Sequence, residues 1–97
     1  MKGNEEISVG HVRLLGRKGF YEILEYTKGH DRVILSDLLP IAGNGTIMDR
    51  REELLEQGLI YDKKIKEGRR NYIVYDLTSK GKRFLKQLEK TVEIMEE

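Results

Sequence analysis

The chain has 97 residues, a formal net charge of +1 and no cysteine. This length fits one small domain with a modest core. The lack of cysteine excludes disulfides, thiolate catalysis and cysteine-based zinc sites, and it suits a cytoplasmic protein. No apolar run approaches the roughly 18 residues of a membrane span. The first seven residues are polar and acidic, which is not the pattern of a signal peptide.

Charged residues make up 36% of the chain and hydrophobic residues 38%. The charged share fits a thermophile surface, long exposed helices, or a surface that meets a charged partner. Because the total charge is nearly neutral, any nucleic-acid site must come from local segregation of basic residues.

The first third of the chain predicts a flexible polar segment, a helix and a short strand. Residues 1–11 are assigned to the segment. Apolar spacing then predicts a helix over about residues 17–28, ended by Gly29. The β-branched run over 32–35 predicts one short strand.

The middle of the chain predicts two helices separated by a glycine turn. The first covers about residues 37–42, and Pro40 implies that it is short or irregular. Residues 43–45, Gly-Asn-Gly, predict a tight turn. A helix over about residues 46–57, ended by Gly58, follows. Two short helices joined in this way are typical of a helix-turn-helix.

The remaining residues predict a β-hairpin and a last helix. Strands over 59–66 and 71–77 flank a glycine-containing reversal, and a helix begins at Ser79. The order is helix, strand, helix, turn, helix, hairpin, helix. The predicted fold is therefore mostly helical with a small hairpin, a winged helix-turn-helix of the α+β class.

Three separated stretches resemble the winged-helix regulators of the MarR, ArsR and HxlR families. They are Thr46–Ile60, around the second helix of the pair, Tyr75–Gly81, at the exit of the hairpin, and Leu15–Phe20, at the first helix. The resemblance implies a DNA-binding transcription regulator that is not an enzyme. It divides the chain into a winged domain over 12–78 and a C-terminal dimerisation helix over 79–97.

This resemblance places the N-terminal part of the helix over 46–57 in the major groove of DNA. Arg50 is then the best base contact, since its planar fork can bridge two acceptors on guanine. Glu53 shares the outward face. An acidic residue on that face, Asp49, either stabilises the helix dipole or accepts from a cytosine amine. The predicted contacts of this helix are Asn44, Thr46, Asp49 and Arg50.

The hairpin over about residues 60–77 is the predicted wing. Its lysines and arginines outnumber Asp62 and Glu67, and two arginines at the tip can reach a minor groove or flanking phosphates. Alternatively, the lysines only prevent strand aggregation at an exposed edge. The predicted DNA contacts of the wing are Lys64, Lys66, Arg69 and Arg70, with Lys63 beside them.

Arg51 departs from the resemblance, because the matching position in those families is usually Leu. Helical spacing puts it near the middle of the apolar face of the helix over 46–57. A guanidinium there either forms an ion pair at the edge of the core, with Asp37 or Glu22 as candidate partners, or belongs to a rotated helix and reaches DNA.

The last helix carries a predicted dimer seam, in which four apolar residues recur at spacings of three and four. A second copy would cover it and give a two-fold dimer with DNA half-sites about 34 Å apart. Alternatively, only the first two residues pack inward and the helix end frays. The seam consists of Leu85, Leu88, Val92 and Met95.

Charge changes sign along the same helix. Lysines and an arginine come first and glutamates follow, an order that opposes the helix dipole. The basic positions are Lys80, Lys82, Arg83 and Lys86, and the acidic positions are Glu89, Glu93, Glu96 and Glu97.

No nucleophile motif, phosphate loop or paired carboxylates stand out, and His11 and His30 lie far apart without neighbouring ligands. The sequence therefore predicts no catalytic site, metal, cofactor or small-molecule ligand. The predicted function is sequence-specific regulation of transcription through double-stranded DNA. The alternative is a winged-helix module that docks on another protein of the transcription or replication machinery.

Overall fold

The computed structural model describes residues 9–97, so the first eight residues of the predicted flexible segment lie outside the described residues. The predicted combination of helices and one antiparallel hairpin is confirmed, but the described part has five helices and two strands. In chain order the elements are α1 (Val9–Leu15), α2 (Phe20–Lys28), α3 (Leu35–Ala42), α4 (Asn44–Glu56), β1 (Ile60–Glu67), β2 (Arg70–Leu77) and α5 (Ser79–Met95).

The start of the described chain differs from the prediction. α1 was not predicted, and it takes in residues 9–11, which the prediction assigned to a flexible segment. It buries no residue of its own, so it lacks the periodic burial that a sequence pattern reveals. The next helix begins at Phe20 and not at about residue 17, because Gly19 takes a left-handed φ of 88° directly before it.

The predicted strand over 32–35 is reduced to a single bridge. The N–H of Tyr75 donates to the carbonyl of Val33 at 2.8 Å, and the pairing goes no further. One residue later, the N–H of Ile34 donates to the Asp37 carboxylate at 3.0 Å. This cap begins α3 at Leu35, so the helix replaces the rest of the strand.

The predicted three-residue turn between the paired helices is wrong. Gly43 alone separates α3 from α4, with φ 85° and ψ 161°. Its N–H donates to the carbonyl of Leu39 at 2.9 Å, and its carbonyl accepts from the N–H of Ile47 at 3.0 Å. Since this one residue takes part in the hydrogen bonding of both helices, α4 begins at once with Asn44.

The predicted hairpin is confirmed and is tighter than expected. β1 and β2 pair antiparallel from Ile60 opposite Leu77 to Glu67 opposite Arg70. Only Gly68 and Arg69 remain for the reversal, and Gly68 takes a φ of 59°, which favours glycine.

One core joins the wing to the helices. Phe20 of α2 meets Phe84 of α5 edge to face, with ring centroids 6.1 Å apart. The buried apolar residues are Phe20, Ile23, Leu24, Val33, Leu38, Ile47, Leu54, Leu59, Ile60, Tyr75, Leu77 and Leu85.

No helix within residues 9–97 is long and apolar enough to cross a membrane.

The end of α4 is held against the start of α5 by hydrogen bonds around Thr78. Its N–H donates to the Leu59 carbonyl at 3.1 Å and its hydroxyl donates to the Gly58 carbonyl at 2.6 Å. The same hydroxyl caps α5 by accepting from the N–H of Gly81 at 2.9 Å. Gly81 lies so close to the backbone of Leu59 that a Cβ on Gly81 would be 1.9 Å from the Leu59 carbonyl oxygen.

We therefore expect Gly81→Ala to lower the free energy of unfolding by roughly 2–4 kcal/mol, because backbone must shift to admit one methyl group. The measurement is urea unfolding followed by circular dichroism. The control is Gly45→Ala in α4, where a Cβ meets nothing within 4 Å. The control should leave stability unchanged or raise it by up to about 1 kcal/mol. Equal stability of both variants would contradict this account of the α4–α5 junction.

Candidate nucleic-acid interface

The start of α4 presents polar groups to solvent. Asn44 and Asp49 are exposed and Thr46 is half-buried. Nothing lies within 4 Å of a Cβ placed on Gly43 or Gly45, so a ligand can approach the backbone there. The first-turn N–H groups of a helix lack partners within the helix and carry its positive dipole end. This end of α4 can therefore accept an anionic group or donate to a base edge.

Arg50 does not face outward as the resemblance implied. Its accessible surface is only 6% of the fully exposed value, and it shares the buried face of α4 with Ile47 and Leu54. The stem of Arg50 passes beside Gly19, where a Cβ would lie 3.5 Å from the Arg50 Cγ, an ordinary van der Waals distance.

The Arg50 guanidinium is held beside Glu53. Its Nε lies 3.0 Å from Glu53 Oε1, although the two atoms are not aligned as a hydrogen bond. Glu53 Oε2 lies 3.5 Å from a guanidinium nitrogen of Arg17, in the segment between α1 and α2. Glu53 was also predicted to face outward, but it is half-buried between these two arginines.

Arg51 lies at the edge of the core, which was one of the two predicted alternatives. The partners predicted for it, Asp37 and Glu22, are wrong. Its Nε donates to the Tyr75 hydroxyl at 2.7 Å, and a guanidinium nitrogen lies 3.3 Å from the Glu52 carboxylate. The hydrogen bond to Tyr75 raises the pKa of Arg51 above its ordinary value. Asp37 is engaged in capping α3 instead. Arg51 thus ties α4 to β2.

The predicted DNA contacts of the wing, Lys64, Lys66, Arg69 and Arg70, are all exposed, and so is Lys63. These five basic side chains outnumber the exposed acidic residues of the hairpin, so the wing is basic.

The acidic residue near the tip of the wing is paired with a residue that the sequence did not single out. Arg32, in the segment before α3, donates through two nitrogens to the Glu67 carboxylate at 2.7 and 2.8 Å. Its guanidinium also lies 5.0 Å from the centre of the Tyr72 ring. The pair lowers the pKa of Glu67 and links the wing to the helices. No spacing rule connects residues 35 positions apart, so the sequence carried no signal for this contact.

The exposed face of α4 beyond its first turn is acidic. Asp49, Glu52 and Glu56 are exposed, and Met48 lies beside them with an accessible surface of 38%. With Arg50 buried, no basic side chain of α4 is fully exposed. The electrostatics of this surface are therefore divided between a basic wing and an acidic later part of α4.

The four residues of the predicted dimer seam are not equivalent. Leu85 is buried at 1% in the core of its own domain, and Leu88 is half-buried. Val92 and Met95 are exposed at 41% and 79%. The structure thus places Leu85 in the core and leaves only the later residues open to a partner.

The fold has clear counterparts among solved structures. A PadR-like transcription factor from Bacteroides fragilis is 24% identical, with a TM-score of 0.71 over 89% of this chain and 92% of that chain. The reduced form of the transcriptional regulator YodB from B. subtilis is 15% identical, with a TM-score of 0.76 over 91% and 90%. A mutant of MepR from S. aureus is 17% identical, with a TM-score of 0.65 over 94% and 80%. The chain has a winged helix-turn-helix fold.

This agrees with the predicted resemblance to prokaryotic transcription regulators. Neither a protein-family model nor a curated protein matches the sequence. Within residues 9–97, no group of three or more histidine or acidic side chains is placed to hold a metal ion.

We expect the two neighbouring arginines of α4 both to support the winged-helix domain. Arg50→Ala and Arg51→Ala should each lower the free energy of unfolding by about 1–3 kcal/mol, since each removes a partly or fully buried charged contact. Glu56→Ala, an exposed change on the same helix, should stay within about 0.5 kcal/mol of the unmodified protein. Urea unfolding measures all three. An unchanged stability of Arg50→Ala would show that its side chain is not held in the core.

Proposed function

We propose that this protein is a sequence-specific regulator of transcription that binds double-stranded DNA. The observation that carries the proposal is the pairing of an open, polar α4 N-terminus with a basic wing on a winged-helix fold. The similar structures are described as transcription regulators, which supports the same function. Such a protein would act in the cytoplasm and needs no catalytic site.

In this proposal the first turns of α4 enter the major groove and the wing lies on flanking phosphates or in the minor groove. Arg50, being buried, would support the packing of α4 and not read a base, and Glu53 beside it would link α4 to Arg17 in the segment before α2. The proposed contacts are Asn44, Thr46, Asp49, Lys64, Lys66, Arg69 and Arg70.

A homodimer completes the proposal. The exposed apolar residues late in α5, Val92 and Met95, support a contact with a second copy. Two copies would present two α4 helices to successive turns of one DNA duplex, about 34 Å apart.

The double change Arg69→Ala with Arg70→Ala should weaken DNA binding about tenfold near 0.1 M salt. It should also reduce the steepness of log K against log salt by up to about 1.8 for each bound copy, or about 3.6 for a dimer, because each phosphate contact contributes about 0.9. Fluorescence anisotropy on a selected DNA fragment measures both quantities. Arg83→Ala with Lys90→Ala removes the same charge from exposed positions on α5 and should change neither by much. An equal loss in both double variants would refute a specific role for the wing.

Loss of the Arg32 contact should release the wing and uncover the charge of Glu67. We expect Arg32→Ala to weaken DNA binding about threefold to tenfold while leaving the free energy of unfolding almost unchanged, since the pair is exposed. Glu67→Gln is the informative comparison. It also breaks the pair but removes the negative charge, so it should bind DNA more tightly than Arg32→Ala. If the two variants bind equally, Arg32 does not act through Glu67.

A second candidate function is docking on another protein, which the acidic face formed by Asp49, Glu52, Glu56 and Met48 favours. Charge reversal separates the two functions. Glu52→Lys with Glu56→Lys should strengthen DNA binding if α4 lies against phosphates and should abolish capture of a partner if that face docks on protein. Salt-independent binding to DNA, or no preference over random DNA, would favour the second candidate.

A further inference from the structure

The outward face of α4 follows from the residues that the domain buries. The buried residues of this helix are Ile47, Arg50 and Leu54. At about 100° per residue, Met48 and Asp49 lie about 50° to either side of the direction opposite the buried residues, and Gly45 lies close to that direction. Met48 and Asp49 are exposed, and so is Gly45. These three residues therefore occupy the part of α4 that points directly away from the domain.

The outward face carries no cation. Among the described residues 44–56, the basic side chains are those of Arg50 and Arg51. Arg50 is buried, with 6% of its surface accessible, and Arg51 donates to the Tyr75 hydroxyl at 2.7 Å. Guanine presents two acceptors in the major groove, which arginine or lysine usually contacts. The outward face of α4 lacks the donors for that contact.

The polar side chain that this face does present is an acceptor. The Asp49 carboxylate is exposed, and no hydrogen bond or ion pair within residues 9–97 engages it. The neighbouring acid, Glu52, lies 3.3 Å from a guanidinium nitrogen of Arg51. A free carboxylate matches the amino group of cytosine or adenine and is repelled by the acceptors of guanine.

The apolar side chain on the outward face is that of Met48, with 38% of its surface accessible. A helical side chain extends toward the start of its helix and covers the surface over the preceding turn. In that turn Gly45 has no side chain, and a Cβ placed there would meet nothing within 4 Å. The flexible thioether of Met48 therefore has open space over the backbone of Gly45. Thymine is the base that offers an apolar group, its 5-methyl, in the major groove.

We propose that Met48 contacts the 5-methyl group of a thymine, while Asp49 accepts from the amino group of a neighbouring cytosine or adenine. The inference rests on the proposed function and names the base groups that α4 recognises. Met48 is thereby a specificity-determining residue beyond the contacts predicted from the sequence.

The arrangement also accommodates an acidic residue on a helix that enters DNA. Asn44 and Thr46 lie roughly 90–110° to either side of the outward direction, where the walls of a groove would stand. Their uncharged polar groups can donate to phosphates there. Asp49 points more nearly toward the floor of the groove, where base amino groups lie, than toward its phosphate walls.

Substitution of uracil for thymine tests the methyl contact, since the two bases differ only in that group. The full chain first selects sites from a pool of random-sequence duplexes. Each thymine of a selected site is then replaced singly, and binding is measured by fluorescence anisotropy at one salt concentration. Replacement of the thymine that meets α4 should weaken binding about threefold to fivefold per half-site, as expected for the loss of one buried methyl group. Thymines outside the α4 contact are the internal controls and should leave binding unchanged.

A second set of measurements assigns the effect to Met48. Met48→Ala should bind the thymine and uracil duplexes equally, whereas Met48→Leu should retain the preference for thymine because it keeps an apolar side chain. Arg69→Ala with Arg70→Ala is the matched control. It should weaken binding to both duplexes to the same extent and keep their ratio. Because Met48 is exposed, Met48→Ala should unfold at the same urea concentration as the unmodified protein.

The outcomes separate this inference from the proposed function. Selected sites without a uracil-sensitive thymine, or a preference for thymine that persists in Met48→Ala, would overturn the inference and leave DNA binding intact. The absence of salt-dependent DNA binding would overturn the proposed function itself and the inference with it.

Discussion

The approach of Gly81 to the Leu59 carbonyl fixes how the last helix meets the helix-turn-helix. A side chain as small as a methyl group would collide with the backbone there, since its carbon would lie 1.9 Å from the oxygen. Thr78 hydrogen-bonds the end of α4 and caps α5 through the same hydroxyl. The start of the wing, the end of α4 and the start of α5 therefore meet at one point. The direction in which α5 leaves the domain, and hence the position of its exposed end, follows from this junction.

Charge is divided unevenly over the rest of the molecule. Neither of the two consecutive arginines of α4 is fully exposed. Arg50 lies beside Glu53, and Arg51 donates a hydrogen bond to the Tyr75 hydroxyl. Arg32 pairs with Glu67, the acidic residue beside the wing tip. What remains on the surface is a basic wing, an acidic later part of α4, and a helix α5 whose charge reverses along its length. This separation allows a chain with a net charge of +1 to carry a basic wing.

The sequence predicted those features that depend on local pattern and missed those that depend on contacts between distant residues. The helix ending before Gly58, the hairpin and the Thr78 cap follow from periodicity and turn chemistry, and the structure agrees. Arg50 was misplaced because the sequence does not determine how the helix is rotated about its axis, and the packed helix buries Arg50 beside Ile47 and Leu54. The contact between Arg32 and Glu67 joins segments 35 residues apart and leaves no periodic signal.

The proposed function requires the first turns of α4 and the wing to contact double-stranded DNA together. The most direct test is an NMR titration of the isotope-labelled protein with a DNA duplex at low and at high salt. We predict that the amide signals of residues 44–49 and 64–70 shift at low salt, and that these shifts diminish as salt rises. Shifts confined to other surfaces, or no shifts at either salt concentration, would contradict the claim.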